Sequence, residues 1–122
     1  MTIRAAFRAQ GEACGALGSP FMARLMPLIA NRLTHGSAVA DRVLGWMGDP
    51  APSADSLPLR LAGALHALKL EGLALEAVYP PNDVDDATLW QAVEMALKDH
   101  STRILAWLDR PPQTNEIRRS TV

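Results

Sequence analysis

Apolar residues recur at helical spacing along most of the chain, and glycine, proline or serine interrupts the pattern at intervals. Residues three and four positions apart lie on one side of an α-helix, so each apolar run predicts an amphipathic helix. No run alternates apolar and polar residues as a half-buried strand does. The pattern therefore predicts an all-α fold, an orthogonal array of six to seven short helices.

The run that begins at Ser56 predicts the central helix of this array, near residues 56–72. Ser56 is a typical N-cap residue, and Gly72 fits the left-handed position that ends a helix. Leu59 and Leu70 form a second apolar side, nearly opposite the main one. The main apolar side consists of Leu57, Leu61, Ala64, Leu65 and Leu68. A helix that is apolar on two sides is typically packed by several neighbours, so we expect this one at the centre.

The other predicted helices begin and end on similar signals. In the first helix, an apolar stripe extends as far as Leu17, and Gly18 then fits the end of the helix. Ser19 is suited to cap the second helix, and the carboxylates between Asp83 and Asp86 suit the N-terminus of a later one. These helices are predicted at about residues 2–17, 20–33, 37–47, 82–100 and 101–110.

Length and composition fit one globular domain and argue against several partners. The chain has 122 residues, of which 48% are hydrophobic, and a formal net charge of −1 with its arginines scattered. Nucleic-acid binders concentrate positive charge on one face, so we expect no nucleic-acid partner. No apolar stretch reaches the roughly 20 residues of a membrane helix, so we expect no membrane partner. The single cysteine suits a reducing compartment, and we expect the protein in the cytoplasm.

The titratable residues do not fall into a catalytic or metal-binding motif. The three histidines are far apart in sequence and lack the short spacings that form zinc sites. Asp83, Asp85 and Asp86 resemble part of a calcium loop, but Thr88 stands where the sharp turn requires glycine. We therefore expect no metal and no cofactor. His66, which lies among apolar residues, is interpreted as a core histidine that donates to a backbone carbonyl rather than as an acid or base.

Three stretches resemble a bacterial family, domain of unknown function 2332. They are Leu17–Phe21 (LGSPF), Leu59–Gly72 (LRLAGALHALKLEG) with Tyr79-Pro80 soon after, and Gln113–Ser120 (QTNEIRRS). Members of this family are longer than the present chain. The resemblance implies a helical domain over 1–110 and, over 111–122, the start of a segment that leads to an absent C-terminal domain. One departure is Arg118, where the family often has a small residue. The resemblance implies no activity, substrate or cofactor.

Five polar or aromatic residues are the candidates for a ligand-binding site at the junction with that C-terminal domain. They are His66, Tyr79, Gln113, Asn115 and Glu116. The last three can bind a ligand in a crevice between domains, or they can cap a helix and satisfy backbone groups there. Two functions follow as hypotheses. The first is a scaffold or interaction domain that packs against its own C-terminal domain or forms a homodimer. The alternative is half of an enzyme or ligand-binding protein.

Overall fold

The computed structural model describes residues 1–52 and 55–110, which form six α-helices and, within these residues, no strand. The predicted all-α fold is therefore confirmed. The helices are α1 (Ile3–Ala16), α2 (Pro20–Arg32), α3 (Ala38–Leu44), α4 (Leu57–Leu70), α5 (Asp86–Asp99) and α6 (Ser101–Asp109).

Side-chain caps fix where the helices begin, as the sequence predicts. The hydroxyl of Ser19 accepts a hydrogen bond from the Met22 backbone N–H at the start of α2. Ser56 does the same for the N–H of Leu59 at the start of α4. Each cap satisfies one of the N–H groups that a first helical turn leaves without a partner. At the other end of α4, Gly72 has a φ of 72°, a backbone conformation that glycine adopts at little cost.

Helices α1 and α2 form the most extensive helix–helix contact of the fold. Gly11 is buried at this contact, and a Cβ atom there would lie 2.8 Å from Cδ of Pro27. The close approach therefore depends on the absence of a side chain at Gly11. Arg4 of α1 donates to the carbonyl oxygens of Ala30 at 2.7 Å and Leu33 at 2.8 Å, at the C-terminal end of α2. These bonds satisfy carbonyls that the helix end leaves unpaired.

Apolar residues from all six helices form the core, and half of the residues of α4 are buried. Seven of the 14 residues of α4 are buried, including every residue of its predicted main apolar side. Helix α4 packs against α6 on one flank and against α1 on another, while α3 and α5 contact each other and α6. The helix near 56–72 thus supplies a large share of the core.

Three sequence predictions differ from the structure. Leu17 is exposed, because α1 ends at Ala16 and the residue after the last helical turn leaves the apolar stripe. Helix α3 ends at Leu44 rather than near residue 47, with Gly45 as its C-cap. Leu70, expected to pack against a neighbouring helix, is 67% exposed. The second apolar side of α4 therefore faces away from the described core.

Candidate functional site

The side of α4 that faces away from the core carries Leu59, His66 and Leu70, which we name the outer face. At about 100° per residue, these three positions fall within roughly 40° of one another around the helix. Leu59 is half-buried, whereas His66 and Leu70 are exposed. The outer face is therefore an apolar strip along the helix with a histidine in its middle.

Aromatic rings lie on both flanks of the outer face. On one flank, the ring centroid of Tyr79 is 5.8 Å from that of His66 and 4.4 Å from that of Phe21. On the other flank, Trp107 of α6 lies so close to Gly63 that a Cβ atom there would be 2.8 Å from its ring. Trp107 is half-buried and extends the apolar surface beyond the helix, whereas Tyr79 is buried and adds little to it.

The structure brings together two of the five predicted site residues. His66 and Tyr79 are neighbours, as their ring distance shows. The other three candidates, Gln113, Asn115 and Glu116, lie outside the described residues. His66 is exposed, so its interpretation as a core histidine is wrong. That interpretation assumed that the second apolar side of α4 is buried.

The hydroxyl of Tyr79 is buried and has no hydrogen-bond partner among the described residues. Only 6% of the residue is exposed. Burial disfavours the charged phenolate and raises the pKa of Tyr79 to about 12. At neutral pH the group is therefore a hydrogen-bond donor without an acceptor, and it does not serve as a base.

A second feature is a cleft between the α2–α3 turn and α5. Its volume is about 80 Å³. The apolar floor includes Trp90, whose indole is almost fully buried. His35, Glu94 and Lys98 lie at its polar rim and are exposed. The cleft combines a rigid apolar surface with charged groups of both signs, as small-molecule sites do.

An imidazole–carboxylate pair fixes the turn on one side of this cleft. Nδ1 of His35 lies 2.8 Å from Oδ1 of Asp41, and the same oxygen accepts a hydrogen bond from the Gly36 N–H at 3.2 Å. The hydrogen bond with His35, followed by the one from Gly36, holds the pKa of Asp41 below its usual value of 3.8. Asp41 therefore remains ionised at neutral pH and orients the His35 ring.

A buried ion pair, which the sequence analysis did not identify, supports the start of α4. Arg60 and Asp55 form two hydrogen bonds, at 3.1 Å and 2.8 Å, and their side chains are each 8% exposed. Arg60 also donates to the carbonyls of Leu108 at 2.8 Å and Arg110 at 2.6 Å. The only signal in the sequence is a charged residue beside the apolar main side of α4, five residues after an aspartate. The pair joins α4 to the end of α6.

Comparison with models of protein families shows which family the chain belongs to. A family model described as "Uncharacterized protein conserved in bacteria (DUF2332)" matches residues 4–122. The chain belongs to this family. Neither a curated protein nor a solved structure matches it. The resemblance of the three sequence stretches to this family is thereby confirmed. The description of DUF2332 names no activity.

A metal cluster and a membrane-spanning helix are both absent from the described part of the DUF2332 chain. Within it, no three His, Cys, Asp or Glu residues are grouped closely enough to hold a metal ion. Its helices include none with the length and apolar character required to cross a membrane.

Proposed function

We propose that this helical unit is an interaction domain whose docking surface is the outer face of α4. Its partner is the C-terminal part of its own protein, the longer chain that the family resemblance implies. The observation that carries the proposal is the 67% exposure of Leu70 within an apolar strip that continues through Leu59. A contiguous apolar patch that is rimmed by polar residues typically marks a surface for association.

The path of the chain supports this choice of partner. Arg60 binds the carbonyl of Arg110, so the chain leaves α6 close to the first turns of α4. The Arg110 guanidinium also lies 4.6 Å from the centroid of the Trp107 ring, which covers Gly63. Arg110, the last described residue, therefore lies on the Trp107 flank of the outer face. A linker of a few residues is enough to bring a following domain onto it.

Two buried polar atoms belong to residues on the flanks of this surface. The Tyr79 hydroxyl and Nε of Arg110 are buried, and neither has a hydrogen-bond partner among the described residues. Buried donors without acceptors are uncommon, because each costs about 1–3 kcal/mol. Because both atoms are already inaccessible from outside, a docked domain would supply acceptors to them only after these two side chains had moved.

The proposal is tested by making the same substitution in the 122-residue chain and in the longer protein, and by comparing its effect on stability. Leu70→Gln is introduced into the 122-residue chain and into the longer protein with its C-terminal part. In the 122-residue chain we expect the free energy of unfolding to change by less than about 0.5 kcal/mol, because Leu70 is exposed. In the longer protein we expect a loss of about 1.5–3 kcal/mol, because docking buries the leucine.

Met47→Gln is the matched control. Met47 is also highly exposed, but it follows α3 and does not belong to the outer face. Met47→Gln should leave the free energy of unfolding unchanged in both proteins. If Leu70→Gln leaves the free energy of unfolding unchanged in both proteins, the proposal is rejected. If light scattering across a dilution series shows that the 122-residue chain dimerises and that Leu70→Gln abolishes the dimer, the occupant is a second copy instead.

A second candidate function is ligand binding at the junction with the C-terminal part. The specific observation in its favour is the contact between the rings of His66 and Tyr79 at one flank of the outer face. On this hypothesis, Gln113, Asn115 and Glu116 complete the site. Native mass spectrometry of the longer protein should then reveal a bound small molecule that His66→Ala releases. A protein that is free of any bound molecule would count against it.

A further inference from the structure

The cleft between the α2–α3 turn and α5 has a floor that is fixed by the core. The floor residues are each exposed by 8% or less, so they move little relative to the fold. They are Leu33, Ala40, Trp90 and Leu97. An apolar group that enters the cleft would contact a flat indole and three aliphatic side chains, and it would displace water from them.

Glu94 and Lys98 lie one turn apart on α5 and both line the cleft. A glutamate four residues before a lysine usually forms an ion pair on a helix surface. Here the two side chains make no ion pair or hydrogen bond with each other or with another residue of the described ranges 1–52 and 55–110. One negative and one positive group are therefore both available to a ligand.

The opposite side of the cleft is held in place by the pair of His35 and Asp41. Nδ1 of the imidazole is engaged by the carboxylate at 2.8 Å, which leaves Nε2 for other contacts. The Gly36 N–H donates to the same carboxylate, so the turn and the ring are oriented together. The polar groups at the rim are thus distributed on two sides of a small apolar floor.

We propose that this cleft binds a small zwitterion of the α-amino acid class. The ammonium group of the ligand pairs with Glu94, its carboxylate pairs with Lys98, and its short side chain packs on Trp90. Nε2 of His35 gives a further polar contact. The volume of about 80 Å³ limits the ligand to a small side chain. The two opposite charges on α5, which have no partner in the described ranges, distinguish this class from a simple acid or a simple amine.

The test is a titration of the 122-residue chain with three compounds of similar shape, followed by NMR. L-Valine carries both charges, isovalerate lacks the ammonium group, and isobutylamine lacks the carboxylate. The readout is the chemical shift of the backbone amides of His35 and Gly36 and of the Trp90 indole N–H. We expect valine to bind about fivefold more tightly than either analogue, since each partly exposed charge contact contributes modestly.

Two variants assign each charge to its partner. Glu94→Gln should remove the advantage of valine over isovalerate and keep its advantage over isobutylamine. Lys98→Gln should have the opposite pattern. Glu12→Gln is the matched control, because Glu12 is an exposed glutamate on α1, away from the cleft, and it should leave all three affinities unchanged.

Several outcomes would overturn the inference. The three compounds could bind equally, the two charge variants could have the same effect, or millimolar valine could leave the cleft signals unshifted. Binding of isovalerate as strong as that of valine would identify an anion site instead. The cleft shares no residue with the outer face of α4, so this result does not depend on the docking proposal.

Discussion

The two sides of α4 carry the same kind of residue and have opposite environments. On the inner side, Leu61 and Leu65 are completely buried. On the outer side, Leu70 is 67% exposed and His66 is exposed as well. Leucine therefore contributes to folding on one side of this helix, and on the other it is available for association. The difference lies in the neighbours: α1 and α6 pack against α4, whereas Leu70 and His66 on its outer face remain exposed in the described part of the chain.

The largest effect on the free energy of unfolding is expected at Arg60, whose charged side chain is buried near the start of α4. Arg60→Ala should lower the free energy of unfolding by about 3–5 kcal/mol, because it leaves the buried carboxylate of Asp55 without its bidentate partner. It also removes the donors to two carbonyls at the end of α6. Urea unfolding followed by circular dichroism measures the change.

The exposed ion pair between Arg103 and Glu71 is the control for this prediction. It also joins α6 to the end of α4, but its side chains are 50% and 46% exposed. Arg103→Ala should therefore cost no more than about 1 kcal/mol. Equal losses in the two variants would show that burial does not determine the strength of these pairs.

A leucine-to-alanine pair compares the two sides directly. Leu65→Ala should destabilise the 122-residue chain by about 2–5 kcal/mol, because it removes buried methyl groups and leaves a cavity. Leu70→Ala should change stability by less than about 0.5 kcal/mol, because its side chain is already in water. Thermal and urea unfolding of both variants measure the difference. Similar losses would mean that the outer face is covered even in this chain.

The ends of the helices could be predicted from the sequence because their causes are local. Ser19 and Ser56 act within three residues of themselves, by accepting a hydrogen bond from the first turn. Gly72 ends α4 through its own backbone conformation. The main apolar side of α4 was also predictable, since helical spacing alone places its leucines together. Such features require no knowledge of which helices meet.

The features that the sequence did not predict depend on distant residues. The exposure of Leu70 and His66 depends on the absence of a neighbouring helix among the described residues, which spacing within α4 does not reveal. Arg60 contacts carbonyls about 50 residues away, so no local pattern indicates its role. The cleft is assembled from a turn and α5, which are also separated by about 50 residues. Tertiary packing therefore determines both candidate functional surfaces.

A small effect is expected at Tyr79, which lies at the boundary between the two sides of α4. Tyr79→Phe should leave stability at neutral pH unchanged or raise it by roughly 1 kcal/mol, because it removes a buried hydroxyl that has no partner among the described residues. A loss of stability would show that the hydroxyl has an acceptor. The same substitution in the longer protein should be destabilising if docking supplies that acceptor.

Alkaline titration gives an independent measure of the same environment. Tyr79 is the only tyrosine, so the absorbance of tyrosinate reports on this residue alone. Its pKa is about 12 in the folded chain, above the ordinary value of 10.0, so the unfolded state loses its proton first. Stability should therefore fall by about 1.4 kcal/mol per pH unit between those two values, and Tyr79→Phe should abolish this part of the decline. Ionisation of the folded protein near the ordinary value would place the ring in water, and the outer face would then lose one of its two aromatic borders.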